Sequence, residues 1–317
     1  MGLMMEPGID VTIVPNLYDL KADGTGMLAL KSVSGNLVVC AWLFERAAHW
    51  ILDRNNIQGH VGEVTLRSED PDEDEIENED DDKERVVDSR ETPNRKIYCL
   101  DLRISNKAQT YIDEIKRIQE ENAARLVGLG DLTGGITSNA PVVEQPNGHS
   151  DQPPAAEAIV NRIESDASRR WYPVIDYSRC TNCMECIDFC LFGVYGVDRI
   201  DTILVEEPDN CRKGCPACSR VCPENAIMFP QHKTPAIAGS SESAASLKID
   251  LSQLFGAPQE NKSAVEVAAL ERDEQLVMVG REAVGMSVGV AKRQSEAESQ
   301  ERDELDDLVD ELNDLDL

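Results

Sequence analysis

Eight of the ten cysteines lie between residues 180 and 222, and their spacing predicts metal-binding chemistry. The first group, Cys180, Cys183, Cys186 and Cys190, is spaced C-x2-C-x2-C-x3-C, and the second, Cys211, Cys215, Cys218 and Cys222, is spaced C-x3-C-x2-C-x3-C and followed by Pro223. Three thiolates on one short loop can converge on one face of an iron-sulfur cubane, whereas a fourth, at the start of a helix, points elsewhere. Because this half-pattern occurs twice, the fourth cysteine of each half can bind the cluster of the other half.

These residues resemble the bacterial-type ferredoxin domains that carry two 4Fe-4S clusters. The resemblance covers roughly residues 171–235 and includes PVIDYSRC, which leads into the first cysteine group, and CPENAI, which ends the second. It implies a small α+β domain with pseudo-two-fold symmetry. It also implies that Cys180, Cys183, Cys186 and Cys222 hold one 4Fe-4S cluster and that Cys211, Cys215, Cys218 and Cys190 hold the other.

The sequence departs from the ferredoxin pattern at two places. Leu191 stands where the family usually has proline, and one extra residue separates Cys211 from Cys215. We expect the first change to loosen a turn and the second to alter the loop around one cluster. Zinc is the alternative metal, but two four-cysteine zinc sites need only two C-x2-C pairs each and have no use for a third cysteine in one short loop.

Iron held by thiolates exchanges one electron at a time, so the cysteines predict electron transfer. Apolar residues lie among the ligands and are expected to keep water from the clusters: Ile187, Phe192, Val194, Ile227 and Phe229. The sequence contains no phosphate-binding glycine loop, G-x-S-x-G turn or H-E-x-x-H helix, which favours an electron carrier over an enzyme. The alternatives are an iron-sulfur subunit of an oxidoreductase complex, or a regulatory or assembly protein that uses the clusters structurally or as a redox sensor.

The chain is strongly acidic, with 60 Asp and Glu against 31 Lys and Arg in 317 residues and a formal net charge of -29. Residues 69–91 contain 14 acidic and 3 basic residues, and residues 294–317 contain 11 acidic and 1 basic. This charge disfavours nucleic acid and anionic membranes as partners and predicts a redox partner with a basic docking surface. Because no apolar stretch approaches about 18 residues and no secretory signal is present, we expect a cytoplasmic protein without membrane insertion.

The pattern along the chain predicts four regions. A small α/β domain covers residues 1–127 with the acidic insertion at 69–91, a linker with a short helix covers 128–170, the dicluster domain covers 171–235, and a largely flexible region covers 236–317. In the first region we expect strands at Asp10–Val14, Val61–Leu66 and Lys96–Ile104 and helices at Leu37–Arg54 and Ser105–Val127.

Further helices are predicted towards the C-terminus, at Ala155–Arg170 and Ser263–Val277. The last residues carry a stripe of leucines on an acidic background, which is typical of an amphipathic helix that forms on a partner. Both acidic segments are otherwise expected to be disordered. Cys40, within the first predicted helix, and Cys99, within a strand, are predicted to be buried structural thiols.

Overall fold

The structure is a computed structural model that describes residues 2–3, 6–67, 83–130, 161–164, 168–240 and 263–289. It mixes helices and strands, as the predicted α+β class requires. The chain divides into two compact units. Unit 1 comprises Met1–Asp70 and Thr92–Arg169, and unit 2 comprises Pro71–Glu91 and Arg170–Leu317.

Unit 1 contains five strands and three helices among its described residues. In chain order they are β1 Thr12–Ile13, α1 Thr25–Ser32, β2 Leu37–Ala41, α2 Glu45–Arg54, β3 His60–Val61, β4 Lys96–Asp101, α3 Ala108–Gly130 and β5 Asn161–Arg162. Unit 2 contains four strands and four helices there, which are β6 Val174–Ile175, α4 Glu185–Phe189, β7 Tyr195–Val197, β8 Ile203–Val205, α5 Ala217–Val221, β9 Ile227–Met228, α6 Pro235–Ala238 and α7 Ala264–Met278.

The core of unit 1 is a parallel sheet in the order β2-β4-β3. Its central strand β4 presents Tyr98 and Leu100 to α3, where Tyr111, Ile115 and Ile118 are buried against them. The structure thus confirms the amphipathic helix that was predicted after this strand. Strand β4 ends at Asp101 instead of Ile104, because the chain turns there to enter α3.

The helix predicted over Leu37–Arg54 is wrong in its first half, which is strand β2. Asn36 precedes this strand, and its Oδ1 accepts a hydrogen bond from the backbone N of Lys96 at 2.8 Å. Leu37 pairs in parallel with Ile97, and the helix begins only at Glu45. A continuous apolar run fits a buried strand and a buried helix equally well, and here it contains the end of one and the start of the other.

Three further expectations for unit 1 are corrected. Cys40 lies in β2 and is exposed, because the chain there is a strand at the edge of the sheet, whereas Cys99 in β4 is buried as predicted. The strand predicted at Val61–Leu66 is only His60–Val61. In the predicted helix Ala155–Arg170, the described Asn161 and Arg162 form a strand instead, because the backbone of β1 offers them parallel pairing.

A carboxylate of α3 anchors the segment that follows β3. The backbone N of Thr65 donates to Glu114 Oε1 at 2.8 Å, and Arg117 Nη2 donates to the same oxygen at 2.8 Å. Burial acts to raise the pKa of Glu114, but the hydrogen bonds from Arg117 and Thr65 outweigh it and lower the pKa from 4.5 to about 2. The stabilisation of unit 1 by ionised Glu114 is therefore complete above the ordinary pKa of Glu, and it disappears as the pH falls from there towards 2.

Replacing Glu114 by Gln is expected to destabilise unit 1 at neutral pH by about 1.5–3 kcal/mol, the usual contribution of hydrogen bonds to a charged group. Peptide-resolved hydrogen exchange over α3 and β4 in the full chain measures this loss. Glu120→Gln, an exposed change of the same type on the same helix, is the control. The difference between the two variants should shrink as the pH is lowered through 4, and a difference that persists unchanged at pH 2 would contradict the assignment.

Unit 2 contains the same succession twice: a strand, a cysteine loop, a five-residue helix and a second strand. In the first half the succession is β6, α4 and β7, and in the second half it is β8, α5 and β9. Strand β6 pairs with β9 and β7 pairs with β8, both antiparallel, so each sheet combines the two halves.

The C-terminal residues of unit 2 are described as far as residue 289. Helix α7 confirms the helix predicted at Ser263–Val277, and Ser263 caps it by accepting a hydrogen bond from the backbone N of Glu266. The predicted acidic amphipathic helix of the tail and most of the acidic insertion lie outside the described residues. In the part of the chain that the structure describes, every helix is too short or too polar to cross a bilayer.

Candidate metal centre

The first cysteine loop is shaped by two residues in the left-handed conformation, Asn182 with φ 59° and Met184 with φ 62°. The Asn182 side chain donates to the backbone O of Asp201 at 2.8 Å and accepts from the backbone N of Ile203 at 2.9 Å, which ties the loop to β8. Cys186 is the second residue of α4, and Cys190 follows directly after its last turn.

The second loop repeats this plan with one more residue. Cys218 is the second residue of α5, and Cys222 follows its last turn. The extra residue between Cys211 and Cys215 is taken up in a tight turn, in which the backbone N of Cys215 donates to the O of Arg212 at 3.0 Å. Gly214 provides the left-handed residue of that turn, with φ 89°.

The eight cysteines line two cavities, four in each. The first cavity, of about 370 Å³ including its mouth, is lined by Cys180, Cys183, Cys186 and Cys222. The second cavity, of about 320 Å³ including its mouth, is lined by Cys190, Cys211, Cys215 and Cys218. Each cavity thus receives three thiols from one loop and one from the other half. This is the grouping that the ferredoxin resemblance implies, and the binding of iron by these thiols stays a prediction.

Apolar side chains surround the thiols. Ile175, Ile203 and Ile227 line the first cavity, and Phe189, Phe192 and Val194 line the second. Phe229, which is fully buried, belongs to the core behind them, where it stacks on Trp171 at 5.2 Å. Ile187 packs against that core and lines neither cavity. The thiols of both cavities are therefore buried or half-buried.

This burial determines the protonation of the thiols. It raises the pKa of Cys180 and of Cys215 from 9.0 to about 11. It also raises the pKa of most other thiols in the two cavities, namely Cys186, Cys190, Cys211, Cys218 and Cys222. Because a metal binds the thiolate, loading either cavity must release protons and is favoured as the pH rises.

Hydrogen bonds reach cysteine sulfurs in both cavities. The buried Tyr195 hydroxyl donates to Cys218 Sγ at 3.0 Å in the second cavity, and the backbone N of Ala226 donates to Cys222 Sγ at 3.3 Å in the first. Donors of this kind stabilise negative charge on sulfur and so help to set the potential of a bound cluster.

The structure adds groups that sequence reasoning did not find. Glu224 lines the first cavity and forms ion pairs with Lys83 at 3.0 Å and Arg85 at 2.9 Å. Burial acts to raise the pKa of Glu224, but the hydrogen bonds from Arg85 and Lys83 outweigh it and lower the pKa. Beside this pair, the backbone N of Val86 donates to the O of Cys180 at 2.9 Å. The end of the acidic insertion therefore packs against the first cysteine loop.

The charged residues beside the two cavities come from distant parts of the sequence. Arg85 and Glu224 are 139 residues apart, and neither residue type is unusual at its position. The second cavity likewise includes Arg272 from α7, a helix that lies beyond the residues that resemble a ferredoxin. The sequence contains no local signal for either contact.

In the described residues, no three His, Cys, Asp or Glu side chains converge on a point where one metal ion could be bound. The cysteines of unit 2 instead surround the two cavities. Four thiols around a cavity form an all-sulfur donor set, which is the set that iron-sulfur clusters use. The residues present therefore fit two such clusters.

One comparison with known proteins supports this chemistry. An uncharacterized ferredoxin of Methanocaldococcus jannaschii is 50% identical to this chain over 66 residues. The matched segment is 20% of this chain and spans 44% of the length of the relative. No family model matches the chain, and no solved structure matches it. The chain therefore contains a segment that is similar to a ferredoxin.

Proposed function

We propose that unit 2 binds two 4Fe-4S clusters and transfers electrons to or from a redox partner protein. The observation that supports this most strongly is the arrangement of two cavities, each lined by four cysteines drawn from both halves of a repeated strand-loop-helix-strand unit. In this proposal Cys180, Cys183, Cys186 and Cys222 hold the first cluster, and Cys211, Cys215, Cys218 and Cys190 hold the second. The ferredoxin-like segment supports the same chemistry.

A bound cluster would supply reversible one-electron chemistry, and the residues of the chain would hold it and tune it. The thiolates would bind the iron, and the isoleucine and phenylalanine side chains of the cavity walls would exclude water. Tyr195 O–H and the backbone N–H of Ala226 would stabilise charge on the sulfurs. Because these groups are held by packed strands and short helices, little would move when the charge changes.

The proposal predicts reversible reduction without loss of metal. Anaerobically isolated protein that is titrated with dithionite should lose its visible absorption and regain it on oxidation, with the iron content unchanged throughout. Clusters that resist reduction, or that release iron on reduction, would contradict the electron carrier and favour a structural or sensing role. Stable co-isolation with a flavin or molybdenum subunit would place the same chemistry in an oxidoreductase complex instead.

We further propose that the redox partner presents a basic surface, because the chain has a net charge of -29. Electron transfer to such a partner should slow by about tenfold or more as the salt concentration rises from about 50 to about 500 mM, since salt screens the attraction that brings the proteins together. Reduction by a small uncharged dye, measured in the same buffers, is the control and should hardly change. A partner reaction as indifferent to salt as the dye reaction would contradict the basic docking surface.

A further inference from the structure

The two cysteine cavities differ in the charge of the side chains that line them. The charged residues of the first cavity are Glu185 and Glu224, and none of its described lining residues is basic. Those of the second are Arg212 and Arg272, and none of its described lining residues is acidic. The two halves of unit 2 have the same order of strands and helices, so the difference in charge comes from their side chains and from α7, which follows the second half.

Arg272 is the most unusual of these residues, because it is only 1% exposed. It is contributed by α7, which packs along α5, and an ion pair between Arg220 and Glu271 at 3.0 Å joins these two helices. A guanidinium keeps its charge even when buried, so Arg272 brings a permanent positive charge to the wall of the second cavity.

The guanidinium of Arg272 is held in place on several sides. Nη1 donates to the backbone O of Val288 at 2.7 Å, Nη2 donates to the O of Gly285, and Nε donates to Asp273 Oδ1 at 3.1 Å. The group also lies over the ring of Phe189, 4.6 Å from its centroid. These contacts fix the distance between the cation and the cysteine sulfurs, so its effect does not depend on a mobile side chain.

We propose that Arg272 raises the reduction potential of the second cluster above that of the first, so that an electron given to the domain resides preferentially in the second cavity. This inference rests on the proposed function. Each cluster takes one electron from an external donor, which is oxidised, and no bond to the protein forms or breaks. Reduction adds one negative charge, which the fixed cation of Arg272 stabilises in the second cavity, whereas none of the described lining residues of the first cavity is a cation.

A potentiometric titration followed by paramagnetic resonance tests this on the full chain, with dithionite as the reductant. Wild-type protein should show two one-electron midpoints, and the more positive one should be missing in Cys218→Ala, which lacks a thiol of the second cavity. Arg272→Gln should lower this midpoint by about 59 mV, which corresponds to a tenfold change in the reduction equilibrium for one electron, and leave the other midpoint in place. Arg272→Lys keeps the charge and should retain most of the wild-type value.

Arg199→Gln is the matched control, because it removes one positive charge from an exposed position of the same unit. If Arg272→Gln contains full iron and sulfide but shifts neither midpoint, or shifts both equally, the inference is wrong while the proposed function stands. Wild-type protein without iron and sulfide would instead overturn the proposed function. If Arg272→Gln does not load iron, Asp273→Asn is measured instead. Removing the negative charge beside Arg272 should raise the midpoint of the second cluster. An unchanged midpoint in Asp273→Asn would overturn the inference.

Discussion

Removing the iron is expected to unfold the cysteine-rich part of unit 2 and to leave unit 1 folded. The core of unit 2 includes Cys186, Cys215 and Cys218, and these three cysteines also line the two cavities. When the cavities hold no cluster, these buried thiols lack the bonds that join the two halves, so most of the stability of this region comes from metal binding. Unit 1 has its own core between β4 and α3 and contains none of the eight cysteines.

Hydrogen exchange on the full chain before and after anaerobic chelation measures this difference. Amides of residues 171–240 should lose nearly all of their protection, whereas those of β4 and α3 should keep theirs and serve as the internal control. Persistent protection of residues 171–240 in protein shown to lack iron would mean that side-chain packing alone maintains this region. The clusters would then be additions to a fold that is stable without them.

Replacing Cys190 by Ala is expected to damage the cluster of the second cavity and to spare that of the first. Cys190 follows the first cysteine loop in sequence but lines the cavity of the second. Cys222 shows the reverse relation, since it follows the second loop and lines the cavity of the first. Each of these substitutions should remove about four of eight irons, because each takes one ligand from one four-iron cluster.

The residual spectra identify which cluster is lost. Cys190→Ala should leave the same paramagnetic signal as Cys218→Ala, and Cys222→Ala should leave the same signal as Cys183→Ala. Cys40→Ala, in unit 1, is the control and should retain both clusters. If Cys190→Ala resembled Cys183→Ala instead, each half would bind its own cluster, and the crossed arrangement of ligands would be wrong.

The cysteine loops were the most predictable part of the protein, because the ligand pattern is local. Spacings of two intervening residues bring Cys180, Cys183 and Cys186 to one loop whatever surrounds them. The exchange of Cys190 and Cys222 between the halves followed from the repeat and from the ferredoxin resemblance. The tight turn at Gly214 could be expected only in outline, as one extra residue in the second loop.

Other parts of the structure depend on contacts that a local pattern does not contain. The apolar run from Leu37 fits a helix as well as a strand, and pairing with β4 decides between them. Arg85 and Arg272 look like ordinary charged residues until folding brings them beside Glu224 and Phe189. The charged side chains that distinguish the two cavities could therefore not be predicted from the sequence, although the cysteines that line the cavities could.

The content of iron, acid-labile sulfide and zinc per chain, measured on anaerobically isolated protein, tests whether the eight cysteines hold two 4Fe-4S clusters. We expect about eight irons and about eight sulfides, with a Mössbauer spectrum typical of four-iron clusters, because in the proposed function each of the two cavities holds one cluster. Two zinc ions per chain without sulfide would contradict it, since four thiols can also bind zinc.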